Sequence, residues 1–177
     1  MLRGEKVILR AVEREDLKRL HELERNVELV VQGDGNWQPE SFAAFEKNFE
    51  KRLDKEEKAW FVIEVEGVVI GGIGLHHSNR LDSTSEFGIG IYDPTYVGKG
   101  YGVDAIRVLL RWAFRVQNYR RIWLTTAGDN PRAIRAYEKC GFTHEGRLRE
   151  HIFSDGEYVD LVQMGMLRSE WEAQQGK

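Results

Sequence analysis

The stretch Thr84-Ser-Glu-Phe-Gly-Ile-Gly-Ile-Tyr92, followed by Asp93-Pro94 and then by Gly98-Lys-Gly-Tyr-Gly102, decides the fold. Residues 84–92 predict a strand, which Asp93-Pro94 ends because proline cannot continue a hydrogen-bonded ladder. The glycine-rich turn opens a helix over 102–117, with Val103, Ile106, Leu109, Leu110, Ala113 and Phe114 as its apolar stripe. Arg107, Arg111 and Arg115 sit elsewhere on its surface at i, i+4 spacing, as a solvated face; of these, Arg107 is the candidate to help hold a phosphate. The first turn of a helix carries unpaired N–H groups and a partial positive charge. Glycines ahead of it let a phosphate approach the backbone, so Gly98–Gly102 is a candidate diphosphate cradle. A glycine turn that serves backbone geometry alone is the alternative. The loop is no Walker motif, since no Gly-Lys-Ser/Thr follows a four-residue spacer. It is no dinucleotide fingerprint either: its glycines fall at 98, 100 and 102, with Val at 103, and it lies mid-chain after four strands.

Outward from this unit, residues 121–127 (RIWLTTA) predict a strand parallel to 84–92, joined to it through the helix. Asn130 then caps a short helix with Pro131 in its first position, which runs to Lys139 and stops near Gly141. Upstream, 6–12 is a first strand, and 14–25 a helix with Leu17, Leu20 and Leu23 on one face. Residues 32–39 are a loop, and about 40–53 a second amphipathic helix carrying Phe42, Phe45, Phe49 and Leu53. Residues 59–66 and 68–76 form a hairpin about Glu66-Gly67, and 142–153 with 157–167 a last hairpin about Asp155-Gly156. The order β-α-α-β-β-β-α-β-α-β-β gives a mixed α/β (α+β) fold. It has a mostly antiparallel sheet of about seven strands with helices on both faces.

The 177 residues suit one domain spanning 1–177, and 41% hydrophobic with 31% charged residues is a soluble, globular profile. A net charge of −3 gives no general attraction to nucleic acid or membrane. The longest near-continuous apolar stretch, Val68 to Leu75, is too short to cross a bilayer. No signal-peptide pattern opens the chain. With the single cysteine, Cys140, no intrachain disulfide can form, and a reducing cytoplasm is the expected compartment.

The glycine loop, the strand before it and the segment Asn130-Pro-Arg-Ala-Ile-Arg-Ala-Tyr137-Glu-Lys-Cys-Gly-Phe142 together resemble the GNAT acetyltransferases. The family's loop reads Gln/Arg-x-x-Gly-x-Gly/Ala. Gly100 and Gly102 fill its glycine positions, while Val97 replaces the usual Gln or Arg. That departure removes one side-chain contribution and leaves the backbone amides. The resemblance covers about residues 3–167. The opening Leu9-Arg-Ala-Val-Glu-Arg-Glu-Asp-Leu17 and the ending Asp155-Gly-Glu-Tyr-Val-Asp160 are similar to the branch of spermidine and ribosomal-protein N-terminal acetyltransferases.

The resemblance implies transfer of an acetyl group from acetyl-CoA to an amine acceptor, with no metal. The pantetheine arm would lie between the strands at 84–92 and 121–127, along Phe87, Gly88, Ile89, Gly90 and Ile91. The diphosphate would sit on Val97, Gly98, Lys99, Gly100, Tyr101 and Gly102, with Asn130, Ala133 and Tyr137 also touching coenzyme A. Glycine in a strand often marks close backbone approach, which suits Gly88 and Gly90; tight packing against a neighbour is the other reading. An alkyl amine near pKa ~10 is mostly protonated at neutral pH, so a base must take a proton from it. Glu86, on the same side of its strand as Gly88 and Gly90, matches the family's acidic position; Glu150 and His151 are the alternatives. Tyr137, seven residues after Asn130 and on nearly the same helix face, matches the tyrosine that protonates the leaving thiolate. Some ribosomal-protein acetyltransferases use a Ser three residues after the Asn instead. Here that position is Ala133, which favours the tyrosine.

Acceptor specificity is expected from the early helices, the Val31–Gln38 loop and the last hairpin, with Asp34 and Trp37 as substrate-binding candidates beside Glu86. Trp37 and Trp60 either line a pocket or pack. The acceptor classes are a polyamine, a peptide or protein N-terminus, and third an aminoglycoside-like amine. His76-His77 has no HExxH, cysteine pair or sequence-near carboxylate, so no metal site is expected. No Gly-x-Ser-x-Gly points to a serine hydrolase. The family resemblance is compatible with a homodimer. The alternative of another class is a non-catalytic acyl-CoA-binding regulatory module, against which Glu86, Asn130 and Tyr137 count.

Overall fold

The computed structural model describes residues 1–34, 37–53, 59–154 and 156–176, with the backbone alone for 32–34. It holds an eight-stranded sheet in the order β1-β2-β3-β4-β5-β6-β8-β7. The strands are β1 (Leu2–Arg3), β2 (Ile8–Ala11), β3 (Trp60–Val65), β4 (Val68–Asn79), β5 (Thr84–Ile91), β6 (Arg121–Ala127), β7 (Thr143–Ser154) and β8 (Glu157–Leu167). The helices are α1 (Leu17–Leu23), α2 (Val27–Asp34), α3 (Phe42–Leu53), α4 (Tyr101–Arg115), α5 (Pro131–Lys139) and α6 (Arg168–Gln175). Neighbouring strands are antiparallel except β5 and β6.

Alternation along β3 divides the core in two. Ile63 and Val65 face the larger cluster, where Ala105, Ile106, Leu109, Leu110, Ala113 and Phe114 of α4 are buried. Val62 faces the opposite side and meets Leu17 and Leu20 of α1 with Phe45 and Phe49 of α3. The sheet is thus covered on both faces, as predicted.

Three differences from the sequence reading have physical causes. Residues up to Asp34 of the expected 32–39 loop belong to α2, because Val27, Val30 and Val31 have helical spacing that overrides the weak propensity of Gly33. A 3-10 turn at Arg14–Asp16 precedes α1, and the two-residue β1 raises the strand number from about seven to eight. The last helix, α6, is not legible as an amphipathic pattern: its apolar anchor is Trp171, which is buried and packs on Phe114 at 5.4 Å between ring centroids. Asp155 of the last turn lies outside the described residues.

The pairing that matters for function is the shortest. β5 and β6 pair only at Thr84↔Arg121, Ser85↔Ile122 and Glu86↔Trp123. Beyond Glu86, β6 stays with β8 as far as Ala127↔Leu161, and β5 stays with β4 as far as Gly71↔Ile91. Each strand is held by its outer neighbour, so the two part and a wedge opens between them.

Candidate active site

Along the wedge, half of the backbone groups of Phe87–Ile91 turn away from β4, as alternation in an antiparallel pair requires, and β6 no longer meets them. Gly88 and Gly90 owe their identity to the opposite demand as well. A Cβ on Gly88 would lie 2.8 Å from the His76 ring, and one on Gly90 would lie 2.2 Å from the Tyr92 ring. A side chain at either position would therefore have to displace a neighbouring ring.

At the head of the wedge the cradle loop has the geometry its glycines allow. Gly98 (φ +77°) and Gly100 (φ +86°) are left-handed, and Gly100 is the N-cap of α4. The Asp104 N–H already donates to Gly100 O at 3.1 Å. The amides of Tyr101, Gly102 and Val103 therefore form the turn that has no carbonyl within the helix to bond. Gly102 would accept a Cβ at 3.6 Å from Ile91, so its neighbours do not demand glycine. The Tyr101 ring lies tilted against Tyr96, with centroids at 5.7 Å, and packs on the core.

Two residues of the cradle have no signal in the local sequence. Lys6 Nζ donates to Lys99 O at 3.1 Å, bringing a cation from the N-terminal segment to the loop. The Asp104 carboxylate accepts from the backbone N–H groups of Glu5, Lys6 and Val7 at 3.1, 2.7 and 3.0 Å. That clip fixes the segment that carries Lys6. Both contacts span more than ninety residues of chain. Arg107 faces elsewhere, donating to Lys139 O at 3.4 Å.

α5 supplies the other wall. Asn130 is buried, and its Oδ1 accepts from Ala133 N at 3.1 Å, the predicted cap. The Ala133 amide is therefore engaged, and what it can offer a ligand is its methyl. Tyr137 is buried, with its ring edge-on to Phe87 of β5 at 5.9 Å and to Phe142 at 6.1 Å. The ring thus spans from α5 to the strand that borders the wedge.

Glu86 occupies the last residue at which β5 and β6 are paired, and its side chain is 13% exposed. It is far from a solvated surface group. Oε2 lies 2.6 Å from His77 Nδ1 and 3.8 Å from His76 Nε2, and Oε1 accepts from Thr125 Oγ1 at 3.4 Å. The β4–β5 register His76↔Glu86 brings the carboxylate to the histidine pair, a nearness that sequence spacing hides. The three side chains place donor atoms within 4.8 Å of one another, a set that could hold a metal ion. The expectation that no carboxylate accompanies His76-His77 is therefore corrected.

Glu150 and His151 lie instead on β7 and line a separate cavity of about 780 Å³ with Arg147, Arg149 and Asp160. The Glu150 N–H donates to Asp160 Oδ1 at 2.9 Å. Trp37 lines a cavity of about 500 Å³ with His21, Glu24, Glu40 and Tyr92, and its Nε1 donates to Glu24 O at 3.1 Å. Trp60 packs instead, against Phe49 at 6.2 Å and under the Arg52 guanidinium at 4.4 Å. The Asp34 side chain lies outside the described residues. Cys140 is buried, which pushes its thiol up to about 11, so it stays protonated and is a poor nucleophile.

A wedge between two parallel strands, amides at a helix start at its head, and a carboxylate and a tyrosine along its walls are an arrangement that suits an acyl carrier with a diphosphate. Residues 6–143 match the family described as Acetyltransferase (GNAT) domain, and the chain belongs to that family. It is 35% identical to the spermidine N(1)-acetyltransferase of Vibrio cholerae serotype O1, over 92% of this chain and 94% of that protein. It is 30% identical to the spermidine N(1)-acetyltransferase of Escherichia coli K12, over 95% of this chain and 89% of that protein. Its fold is similar to the crystal structure of spermidine N-acetyltransferase from Vibrio cholerae in complex with CoA and spermine. The TM-score is 0.88 at 33% identity, with 96% of this chain and 99% of that chain covered. The protein is an N-acetyltransferase with acetyl-CoA as co-substrate. The non-catalytic alternative finds no support among these relatives.

Proposed function

We propose that the enzyme acetylates a primary amine of a linear polyamine of the spermidine type, with Glu86 and Tyr137 as its proton-handling groups. The observation that carries the roles is the place of Glu86, shielded from solvent at the point where β5 and β6 part. The acceptor class rests on the likeness to spermidine acetyltransferases along nearly the whole chain.

The diphosphate of acetyl-CoA sits on the amides of residues 98–103, beside Lys6, and the pantetheine arm lies along Phe87–Ile91 as a strand would. The amine loses a proton by way of Glu86 and attacks the thioester carbonyl carbon. A backbone N–H of β5 donates to the oxyanion of the tetrahedral intermediate. Its collapse breaks the C–S bond, and the coenzyme A thiolate takes the Tyr137 hydroxyl proton. Val97 contributes backbone only. Trp37, Glu24 and Glu40 line the cavity beside Tyr92 together with Arg25, and its two carboxylates and aromatic faces are the groups there that suit a further ammonium group.

Coenzyme A release from acetyl-CoA, measured with polyamines, N-terminal peptides and amino sugars, tests the acceptor. The highest kcat/KM is expected for the polyamines; a peptide or amino sugar ten times better than any polyamine contradicts it. For the roles, Glu86→Gln is expected to lower kcat/KM by about 10²-fold and to flatten the acidic limb of its pH profile. An unchanged rate and limb would remove Glu86.

A further inference from the structure

β4 does not run regularly past Glu86. Its register with β5 breaks between His76 and Asn79, and His77 sits there at φ +49°, a left-handed conformation that a histidine adopts only against a steric penalty. In a regular strand His76 and His77 would point to opposite faces. The bulge turns both toward one carboxylate, with their rings edge-on at 5.3 Å between centroids. Backbone strain held beside a reactive carboxylate motivates a search for what it positions.

We propose that the amine's proton is received by a Glu86–His77 pair, in which His77 Nε2 is the acceptor atom and Glu86 holds the ring through Nδ1. This rests on the role given to Glu86 above and deepens it. An ionised carboxylate only accepts hydrogen bonds, so across the 2.6 Å contact His77 Nδ1 donates and the tautomer is fixed. The lone pair is then on Nε2, the ring nitrogen that Glu86 does not engage. The His77 side chain is 76% exposed, whereas that of Glu86 is 13% exposed, so the imidazole is the member of the pair open to an entering ammonium and to bulk water. In the step, one N–H bond of the ammonium breaks and an Nε2–H bond forms. The resulting imidazolium is balanced by the Glu86 carboxylate, and Nε2 later releases the proton to water. Ordinary imidazole is also a better proton acceptor from an alkyl ammonium than an ordinary carboxylate is. Among the described residues, His77 contacts the ionisable groups Glu86 from β5 and His76 from its own strand; Thr125, from β6, is uncharged, and α2, which packs on β5 and β6, carries Glu28 in its first turn.

Three variants test this: His77→Gly, which keeps the left-handed backbone without strain, His77→Gln, which can still donate to Glu86, and Glu86→Gln. The readouts are kcat/KM for spermidine against pH, acetyl-CoA Kd by calorimetry, and rescue by added imidazole. Both His77 variants are expected to lose about 10²-fold in kcat/KM at neutral pH and the acidic limb, with acetyl-CoA Kd within about twofold. Imidazole is expected to restore at least about tenfold in H77G and nothing in Glu86→Gln. If H77Q runs at the wild-type rate, or imidazole leaves H77G unchanged, His77 is not the acceptor. Slow Glu86→Gln beside fast His77 variants leaves Glu86 as base and overturns this inference alone. An unaffected Glu86→Gln overturns both.

Discussion

Tyr137 is the residue whose role separates chemistry from binding. It is buried edge-on against the stacked Phe87 and Phe142, so removing its hydroxyl leaves the packing of the ring intact. Tyr137→Phe is expected to lower kcat at least about tenfold, while acetyl-CoA Kd changes by less than about threefold, since in the proposed mechanism the hydroxyl acts on the departing thiolate. Steady-state kinetics with calorimetry checks the split, and an unchanged kcat would remove Tyr137 from the mechanism. Cys140 makes the complementary case. Its thiol, pushed up to about 11 by burial, is expected to resist iodoacetamide at neutral pH while the protein is folded. Rapid alkylation would contradict its buried, protonated state. The Asn130 cap was legible in the sequence because a helix cap is a local pattern, whereas Tyr137 was singled out by the family resemblance. Lys6 and the histidine partners of Glu86 were not legible, because a lysine read as the start of a strand, which lies instead between β1 and β2, and a His-His pair gain meaning only through a long-range contact and sheet register.

The element proposed to bind the carrier is the turn into α4. Gly100 holds φ +86° as N-cap, and a Cβ there would also press on Lys6 Nζ at 3.3 Å. Gly100→Ala is expected to cost about 1–2 kcal/mol in local backbone strain and to weaken acetyl-CoA binding about tenfold, as read by urea unfolding and calorimetry. Gly102→Ala, with room at 3.6 Å from Ile91, is the control expected to stay near wild type in stability. Equal effects in the two variants would show that left-handed geometry is not what the loop requires. The periodicity of α4 and the turn chemistry of its glycines made this element legible. α2 and α6 escaped because Gly33 mimics a loop in the one and a lone buried Trp171 anchors the other.

At the scale of the whole molecule, Arg10 ties β2 to β3 and to the start of α1. Its guanidinium donates to Asp16 at 2.7 and 2.8 Å and to Glu64 at 2.6 Å, and Asp16 also accepts the Glu13 N–H at 2.9 Å. Burial raises the Asp16 carboxyl, but the Arg10 hydrogen bonds and charge and the Glu13 amide together hold it below the usual carboxylate range. A carboxyl lowered in the folded state adds stability that is present above its unfolded pKa of about 3.9 and is lost as pH falls through the folded value. Asp16→Asn is therefore expected to destabilise by about 1–3 kcal/mol at pH 7, with the gap to wild type closing below about pH 4. Urea unfolding at both pH values checks it, and a gap of constant size would contradict the linkage. The crossover of β5, α4 and β6 and the succession of elements along the chain could be inferred from pattern alone, but not the place of β8 between β6 and β7. The wedge could not, because it arises from competition: β8 holds β6 and β4 holds β5 beyond the third shared pair. That competition is the basis of the proposed binding mode. Amide chemical shifts and hydrogen exchange, recorded with and without acetyl-CoA, test it most directly. The account predicts large shifts at 98–103 and new protection within 87–91. Unchanged amides in both segments under saturating acetyl-CoA would contradict it.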